Sequence, residues 1–449
     1  MTALVDRLSA IVGTAHVSTD ADVLAGRSVD WTGRYRGTAG ALVRPGSAEE
    51  VAAVLHTCRD GDVAVTVQGG RTSLVAGTVP ENHDVLLSTE RLTHIGEVDT
   101  LERRVRVDAG VTLAELQRAA TAAGLLFGVD LTARDSATIG GMASTNAGGL
   151  RTVRYGTMGA QVLGLDVALP DGSLVHRHAQ VRCDNTGYDL ASLFVGAEGT
   201  LGVITAVDLR LHSLPPHRVT AVCGFTDLDA LVATGRALRD IETIGACELI
   251  DGRAAALAAE HLDTPSPVSG DWLLLVELAG DLDQTEQLAA ALDDAPLNGP
   301  PAVGIDLAAQ QRLWQVRETM AEVVGLFGPP VKFDVSLPLS AIAAFAADSY
   351  ALIARYAPQA VPVLFGHVGE GNLHLNVLRC DREQEASIYP AMMKLIAAHG
   401  GNVSSEHGVG SRKRAYLSMS RQPADVAVMR TIKAALDPTG YLNPAVLFD

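Results

Sequence analysis

The sequence predicts an α+β protein: a strand-rich first domain, a second domain of helices around an antiparallel sheet, and a helical C-terminal segment. Three observations carry that expectation. From about residue 42 to residue 211, short β-rich runs are punctuated by glycine. At Leu214-Pro215-Pro216 the composition changes, and long Ala-rich helical stretches follow. Between those helices lie an apolar run and alternating segments with the two-residue period of strands. The expected boundaries are 1–211 for the first domain, with its core at about 38–211, then 212–415 for the second. Residues 416–449 are expected to form a helical segment that packs back on the first domain.

Taken in order, Leu4, Leu8, Ile11 and Val12 fall at helical spacing, so residues 1–13 read as an amphipathic helix and not as a signal peptide. Strands are predicted at 63–67, 85–87 and 105–107. Thr112-x-x-Glu115 opens a helix as a capping box, with Leu113, Leu116 and Ala120 on one face. Residues 162–169 and 174–175 flank Asp171-Gly172, a hairpin signal. This half alternates too irregularly for a doubly wound sheet. In the second half, helices are predicted at 228–239, 282–292, 308–326, 382–399 and 424–436, with a buried strand at 272–278. Gly400-Gly401 stops one helix and Asp437-Pro438 another.

Composition narrows the function. Acidic residues outnumber basic ones, 52 to 35, for a formal charge of −17. That balance argues against nucleic acid and against an anionic membrane as partners of the whole surface. A few local cations still suffice to hold a small anionic substrate. The five cysteines, Cys58, Cys183, Cys223, Cys247 and Cys380, form no CxxC pair, which argues against an iron–sulfur cluster. They suit a reducing cytosol. No run approaches the ~18 apolar residues of a membrane span. A cytoplasmic location is expected, with peripheral membrane contact left open, and the sequence is compatible with a homodimer.

Three glycine-rich segments stand out in the first half. The first is Gly69-Gly70-Arg71-Thr72-Ser73-Leu74, directly after a β run. Consecutive glycines expose backbone N–H groups, which suits a phosphate. The second runs from Ser136 through Thr138, Ile139, Gly140, Gly141, Ser144, Thr145, Asn146 and Gly148 to Gly149, small and polar enough for a flat ligand to lie against backbone. The third is Gly196-Ala197-Glu198-Gly199-Thr200-Leu201-Gly202-Val203-Ile204. None is a G-x-G-x-x-G between strand and helix or a P-loop, so a nucleotide here is not held in Rossmann fashion. Together with Arg154-Tyr155-Gly156 and the Asp184 to Leu190 stretch, these segments resemble the flavin-binding domain of the vanillyl-alcohol oxidase superfamily. The resemblance covers about residues 40–446. It implies a two-subdomain FAD-binding domain, with Gly69 to Leu74 on the pyrophosphate and Thr138 to Thr145 along the flavin. Tyr155, Glu198, Gly202 and Ile204 join the expected cofactor residues. Ser73 stands where glycine is commoner. No covalent-flavin histidine is evident, so the FAD is expected to be non-covalent.

The strongest chemical signal is Gly366-His367-Val368-Gly369-Glu370-Gly371-Asn372-Leu373-His374-Leu375-Asn376. If Glu370-Gly371 is a two-residue hairpin turn, His367 faces His374 with Cβ atoms roughly 4.5–5.5 Å apart. Both imidazoles then share a face with Asn376, and Leu373, Leu375 and Val377 fill the other. Two imidazoles so placed either share a divalent ion or simply stack in a polar cleft. Ser404-Ser405-Glu406-His407-Gly408-Val409-Gly410 offers a further carboxylate. Adjacent Glu406 and His407 are expected to point apart. These patterns resemble the C-terminal domain of FAD-linked D-2-hydroxy-acid dehydrogenases, the D-lactate, glycolate and D-2-hydroxyglutarate enzymes. The resemblance implies His367, His374 and Glu406 as ligands of zinc or another divalent metal, His407 as general base, and Asn376 as a substrate contact.

Arg317 lies on the predicted helix 308–326. By itself it reads as easily as a surface arginine paired with a glutamate; the family match makes it a clamp for the substrate carboxylate. Lys332, Asp334 and Ser336 alternate along a predicted strand and share a face. Lysine at this place resembles the D-2-hydroxyglutarate group, where it meets the distal carboxylate of a diacid. Ala321 cuts the other way, since a hydroxyl is expected one helical turn after Arg317. The expected activity is therefore FAD-dependent oxidation of a D-2-hydroxy acid to the 2-oxo acid, D-2-hydroxyglutarate first, D-lactate or D-malate as alternatives. Electrons would pass to an external acceptor, an electron-transfer flavoprotein or a quinone. A flavin subunit that only relays electrons, and a zinc hydrolase, are the competing classes.

Overall fold

The structure, a computed structural model, describes residues 2–178, 181 and 184–448; Cys183 lies outside them. The chain divides into two compact units. The first takes the chain up to Gly148, then Gly156–Leu214, then everything from Glu406 onward; the second takes Gly149–Tyr155 and Pro215–Ser405. The chain thus leaves the first unit after Gly148, returns at Gly156, leaves again after Leu214 and returns at Glu406, where the expected boundaries are 211 and 415.

Two four-stranded sheets build the first unit, beside a two-stranded pair of Leu125–Leu126 and His212–Ser213. In one, strands run in the order Val17–Ser18, Ala39–Val43, Asp84–Ser88, Val65–Gln68. The first pair is antiparallel and the other two are parallel. Parallel strands need crossovers, and helix Ala48–Asp60 carries the chain from Ala39–Val43 to Val65–Gln68, the two strands that flank Asp84–Ser88. Its Val51, Val54 and Leu55 share one buried core with Leu4, Leu8 and Val12 of the amphipathic helix Thr2–Val12. The other sheet, ordered Arg104–Asp108, Val203–Arg210, Val162–Ala168, Leu174–Arg177, is antiparallel throughout. Ala168 pairs with Leu174, so the Asp171-Gly172 turn sits in a five-residue loop, with Gly172 at φ 85°. The capping box forms at helix Leu113–Ala122, with Thr112 and Glu115 exchanging bonds.

Helix Pro423–Leu436 and the tail after it belong to this unit. The tail after that helix is a structural clasp. The Tyr441 hydroxyl donates to the carbonyls of Leu55 and Pro170. Asn443 Oδ1 accepts from Val67 N at 2.8 Å, and its Nδ2 donates to the Glu198 carbonyl at 2.9 Å.

The second unit is one seven-stranded antiparallel sheet, in the order Ala302–Gly304, His217–Phe225, Trp272–Gly280, Ile244–Asp251, Val361–His367, Asn372–Leu378, Val331–Ser336. Helices Gly252–Leu262 and Leu307–Glu318 cover one face through a core that includes Val222, Ile250, Leu273, Val316 and Phe365. The predicted helix 308–326 is two pieces, Leu307–Glu318 and Met320–Val323. They meet at Thr319, whose φ −60° and ψ −19° are of 3₁₀ type. Both pieces bury residues in the same core, so packing sets the bend without glycine or proline. The predicted helix 282–292 begins only at Thr285, because Asp283 Oδ1 captures the Thr285 amide and hydroxyl. Among the described residues, no helix is long and apolar enough to cross a membrane.

Candidate active site

The histidine hairpin forms, in a different register from the one expected. Strands Val361–His367 and Asn372–Leu378 pair with His367 opposite Asn372 and Phe365 opposite His374. The loop is Val368 to Gly371, four residues and not two, held by Glu370 N and Gly371 N bonding to the carbonyls of His367 and Val368. The register moves by two, which is one full period of side-chain alternation, so His367, His374 and Asn376 keep a common face. The imidazoles meet diagonally, ring centroids 5.3 Å apart and nearly perpendicular. Leu373, Leu375 and Val377 are fully buried on the opposite face.

The edge strand Val331–Ser336 completes a polar ladder. Lys332 pairs with Asn376, Asp334 with His374, and Ser336 with Asn372. Asp334 Oδ1 stands 3.7 Å from His374 Nδ1, with the aspartate almost fully buried. Sequence reasoning put Asp334 on this face without giving it a role. Burial pushes the Lys332 ammonium down to about 8.

Glu248 is the hub that the sequence reading missed. It lies in the buried strand Ile244–Asp251 and is 1% exposed. Oε1 bonds His367 Nδ1 at 2.6 Å and Oε2 accepts from Arg317 Nε at 2.7 Å. Burial alone would raise this carboxyl; His367 and Arg317 offset that and hold it below the usual carboxylate range. An ionised Glu248 keeps the proton of His367 on Nδ1 and so leaves the Nε2 lone pair available. Arg317 is buried, not on the surface, and its guanidinium lies over the Phe365 ring at 4.8 Å. Nε is committed to Glu248, and the two Nη nitrogens are not part of that bond. Phe365 also meets the His374 ring edge-on at 5.5 Å. The expected hydroxyl position, Ala321, is exposed; Thr319, two residues earlier, is buried.

Ser405, the last residue of this unit, donates its amide to Asp334 Oδ2 at 3.0 Å and shares a 2.5 Å hydroxyl bond with Ser336. Glu406 and His407 follow in the first unit. They do not point apart as expected: His407 Nε2 lies 3.9 Å from Glu406 Oε1. The segment is irregular rather than a strand, so alternation does not separate adjacent side chains. Gly408 and Gly410, at φ 80° and 53°, turn the chain just after His407. Their loop is clamped by Glu198, whose carboxylate accepts the amides of Val409 and Gly410 at 2.8 and 2.7 Å.

The three glycine segments converge in the first unit. A Cβ on Gly70 would lie 1.8 Å from the Ser136 carbonyl oxygen, and one on Gly69 would lie 2.4 Å from Thr138 Oγ1. The third segment docks on the second: Gly196 N bonds the Ala143 carbonyl and Glu198 N the Ser144 carbonyl at 2.7 Å. Gly140 N and Ile139 N bond the carbonyls of Ala109 and Val111. Asn146 is left-handed, and Gly202 packs on Val167 with Ile204 beside it in the sheet. Arg71 anchors its loop by donating to the Gly26 carbonyl, and Ser73 Oγ accepts from Val75 N. These residues fit an FAD cradle on two counts. Among the described residues, the backbone N–H groups of 70–74, which include Thr72 and Leu74, donate no hydrogen bond, and Thr138 Oγ1 is buried without one. Thr145 Oγ1 turns back to the Gly141 carbonyl, and Gly148 closes the segment. Tyr155 falls in the second unit, with Arg154 against its ring at 5.2 Å.

Comparison with known proteins agrees with both halves. Residues 39–177 match the FAD binding domain family and residues 214–447 the C-terminal domain of FAD linked oxidases. The chain is 34% identical over 459 residues to the D-2-hydroxyglutarate dehydrogenase of Stutzerimonas stutzeri, covering 99% of each. It is 37% identical over 440 residues to the mitochondrial D-2-hydroxyglutarate dehydrogenase of Rattus norvegicus, covering 95% of this chain and 82% of the other. Among solved structures, p-cresol methylhydroxylase superposes with a TM-score of 0.84 at 18% identity, covering 100% of this chain and 97% of the other. The 4-ethylphenol oxidase of Gulosibacter chungangensis gives 0.81 at 17% over the same shares, which shows the fold. The chain therefore belongs to the family of FAD-linked D-2-hydroxy-acid dehydrogenases, with a flavin-binding domain of vanillyl-alcohol oxidase type, and is an FAD-dependent dehydrogenase.

Proposed function

We propose that the chain oxidises a D-2-hydroxy dicarboxylic acid to the 2-oxo acid at a divalent-metal site, with D-2-hydroxyglutarate as the substrate. The observation that carries this reading is the polar ladder of the second unit, with Lys332, Asp334, His374 and Asn376 on one sheet face. Arg317 and His367 are tied together through Glu248. A diacid needs two cations, and Arg317 and Lys332 supply them. The names of the relatives support the same substrate and the D configuration.

His367, His374 and Glu406 would hold the ion. Asp334 adds a fourth donor, giving a nitrogen and oxygen set suited to zinc and to several other divalent metals. Residues 69–74 and 136–148 would hold the FAD. Bound FAD supplies the two-electron oxidant, and a bound divalent ion supplies Lewis acidity toward the substrate hydroxyl. His407 takes the hydroxyl proton as general base. Arg317 offers its paired Nη groups to the C1 carboxylate, while Lys332 and Asn376 bind the distal end. Electrons leave to an external acceptor, an electron-transfer flavoprotein or a quinone. A cytoplasmic location is part of this reading, in keeping with the bacterial relatives.

Substrate choice is tested by Lys332→Met. Loss of one charge-assisted contact, ~1.5–3 kcal/mol, lowers kcat/KM for D-2-hydroxyglutarate by about 10- to 100-fold. The same variant leaves D-lactate turnover nearly unchanged. Equal losses on both acids would remove Lys332 from the distal carboxylate and the diacid from the reading.

A further inference from the structure

A second group of metal-type donors lies on the antiparallel sheet of the first unit, apart from every residue assigned above. Strand Leu174–Arg177 is the edge of that sheet, and its His176 pairs directly with Asp166 of the neighbouring strand. His178 follows two residues later, on the same side by strand alternation. The two imidazoles stack in parallel, 4° between planes and 6.1 Å between centroids. His176 Nδ1 lies 3.2 Å from Asp166 Oδ2, and His178 Nε2 lies 3.6 Å from Asp166 Oδ1. One donor atom from each residue falls within 4.8 Å of the others. Ligands about 2.0–2.2 Å from a tetrahedral ion are separated from one another by roughly 3.3–3.6 Å, so the donors need little movement to enclose one.

A second observation points the same way. The Asp166 side chain is 8% exposed, yet its Oδ1 is buried and makes no hydrogen bond. A buried carboxylate oxygen left in that condition calls for a partner. The surrounding charge leaves room for a cation. Two carboxylates, Asp166 and Asp208, face the single guanidinium of Arg106, which bonds both. His178 Nδ1 stands between Arg106 Nη1 at 2.8 Å and Asp208 Oδ2 at 3.5 Å. Arg106 Nη1 donates to His178 Nδ1 in this arrangement, so an ion on Nε2 displaces that bond and turns Nδ1–H toward Asp208. His176 and His178 are 49% and 40% exposed, so an ion reaches them from solvent.

We infer that Asp166, His176 and His178 form a second metal site, taking a borderline divalent transition ion such as zinc and pinning the edge strand to its neighbour. The ion carries no part of the oxidation. The test is calorimetric titration of the FAD-loaded, chelator-stripped protein with zinc alone. The wild-type protein takes up two zinc ions per chain. The double variant His176→Ala/His178→Ala takes up one fewer, or binds it at least 10-fold more weakly, and keeps wild-type turnover once zinc is restored. The half-exposed positions of both histidines allow that variant to fold. A His374→Ala variant still binds zinc at the second site, so failure of the catalytic-metal reading and failure of this one give different patterns. Equal zinc uptake and affinity in the wild type and the double variant overturn the site, and leave the histidines as proton-sharing partners of Asp166 only.

Discussion

The glycine-built flavin cradle and the polar sheet face are made from different parts of the chain. In the first unit the cradle is backbone against backbone. Gly70 lies on the Ser136 carbonyl, and the amides of Gly196 and Glu198 sit on the Ala143 and Ser144 carbonyls. In the second unit the site is side chain against side chain, a ladder on one sheet face tied from below by Glu248. The contrast teaches how each tolerates change. A backbone-built site fails when a methyl group enters at the wrong glycine. A side-chain-built site absorbs a two-residue shift of register, since every residue keeps its face, but has no substitute for an individual charge.

The largest effect expected from this contrast is at Gly70. Gly70→Ala places a carbon against the Ser136 oxygen and is expected to purify without bound flavin or not to fold. Gly141→Ala, whose Cβ meets only Thr138 Oγ1 at 3.2 Å, is expected to keep most of its FAD. Equal flavin content in the two variants, read from the visible spectrum, would break the backbone side of the comparison. Next comes His407→Ala, which lowers the rate of flavin reduction by about 10²- to 10⁴-fold with FAD still bound. An unchanged rate in stopped-flow absorbance would show that another group takes the proton.

Glu248→Ala strips the buried partner from Arg317 and His367. Leaving a buried cation uncompensated costs about 3–5 kcal/mol of stability, to be read from denaturant unfolding. A loss below 1 kcal/mol would mean that solvent reaches Arg317 and the hub is not a hub. The smallest effect is at Glu198, which holds the loop after His407. Glu198→Gln weakens the bonds to Val409 and Gly410, and about tenfold in kcat is expected with KM and flavin content unchanged. A change confined to flavin content would instead make Glu198 a cofactor residue.

Much of this architecture was legible because the signals are local. The Thr112 and Glu115 capping box, the helix Leu228–Arg239 and the alternation through Lys332, Asp334 and Ser336 each state their own structure within a few residues. The hairpin register was not local. Gly369-Glu370-Gly371 admits a two-residue or a four-residue loop, and pairing with the neighbouring strands decides between them. Glu248 offered one readable sign, a carboxylate inside the otherwise apolar run from Ile244 to Ile250, but its partners lie 69 and 119 residues away. The return of the chain to the first unit at Glu406 was not read either, although the Gly400-Gly401-Asn402-Val403-Ser404-Ser405 stretch before it has the composition of a linker.

Whether the ladder and Arg317 read a dicarboxylic 2-hydroxy acid for the flavin is decided by anaerobic mixing of the FAD-loaded protein with D-2-hydroxyglutarate. D-malate and D-lactate are run in parallel while flavin absorbance is followed. Rapid bleaching by D-2-hydroxyglutarate and slow or no bleaching by D-lactate is the expected result. Faster bleaching by D-lactate, or flavin that none of the three acids reduces, would contradict it.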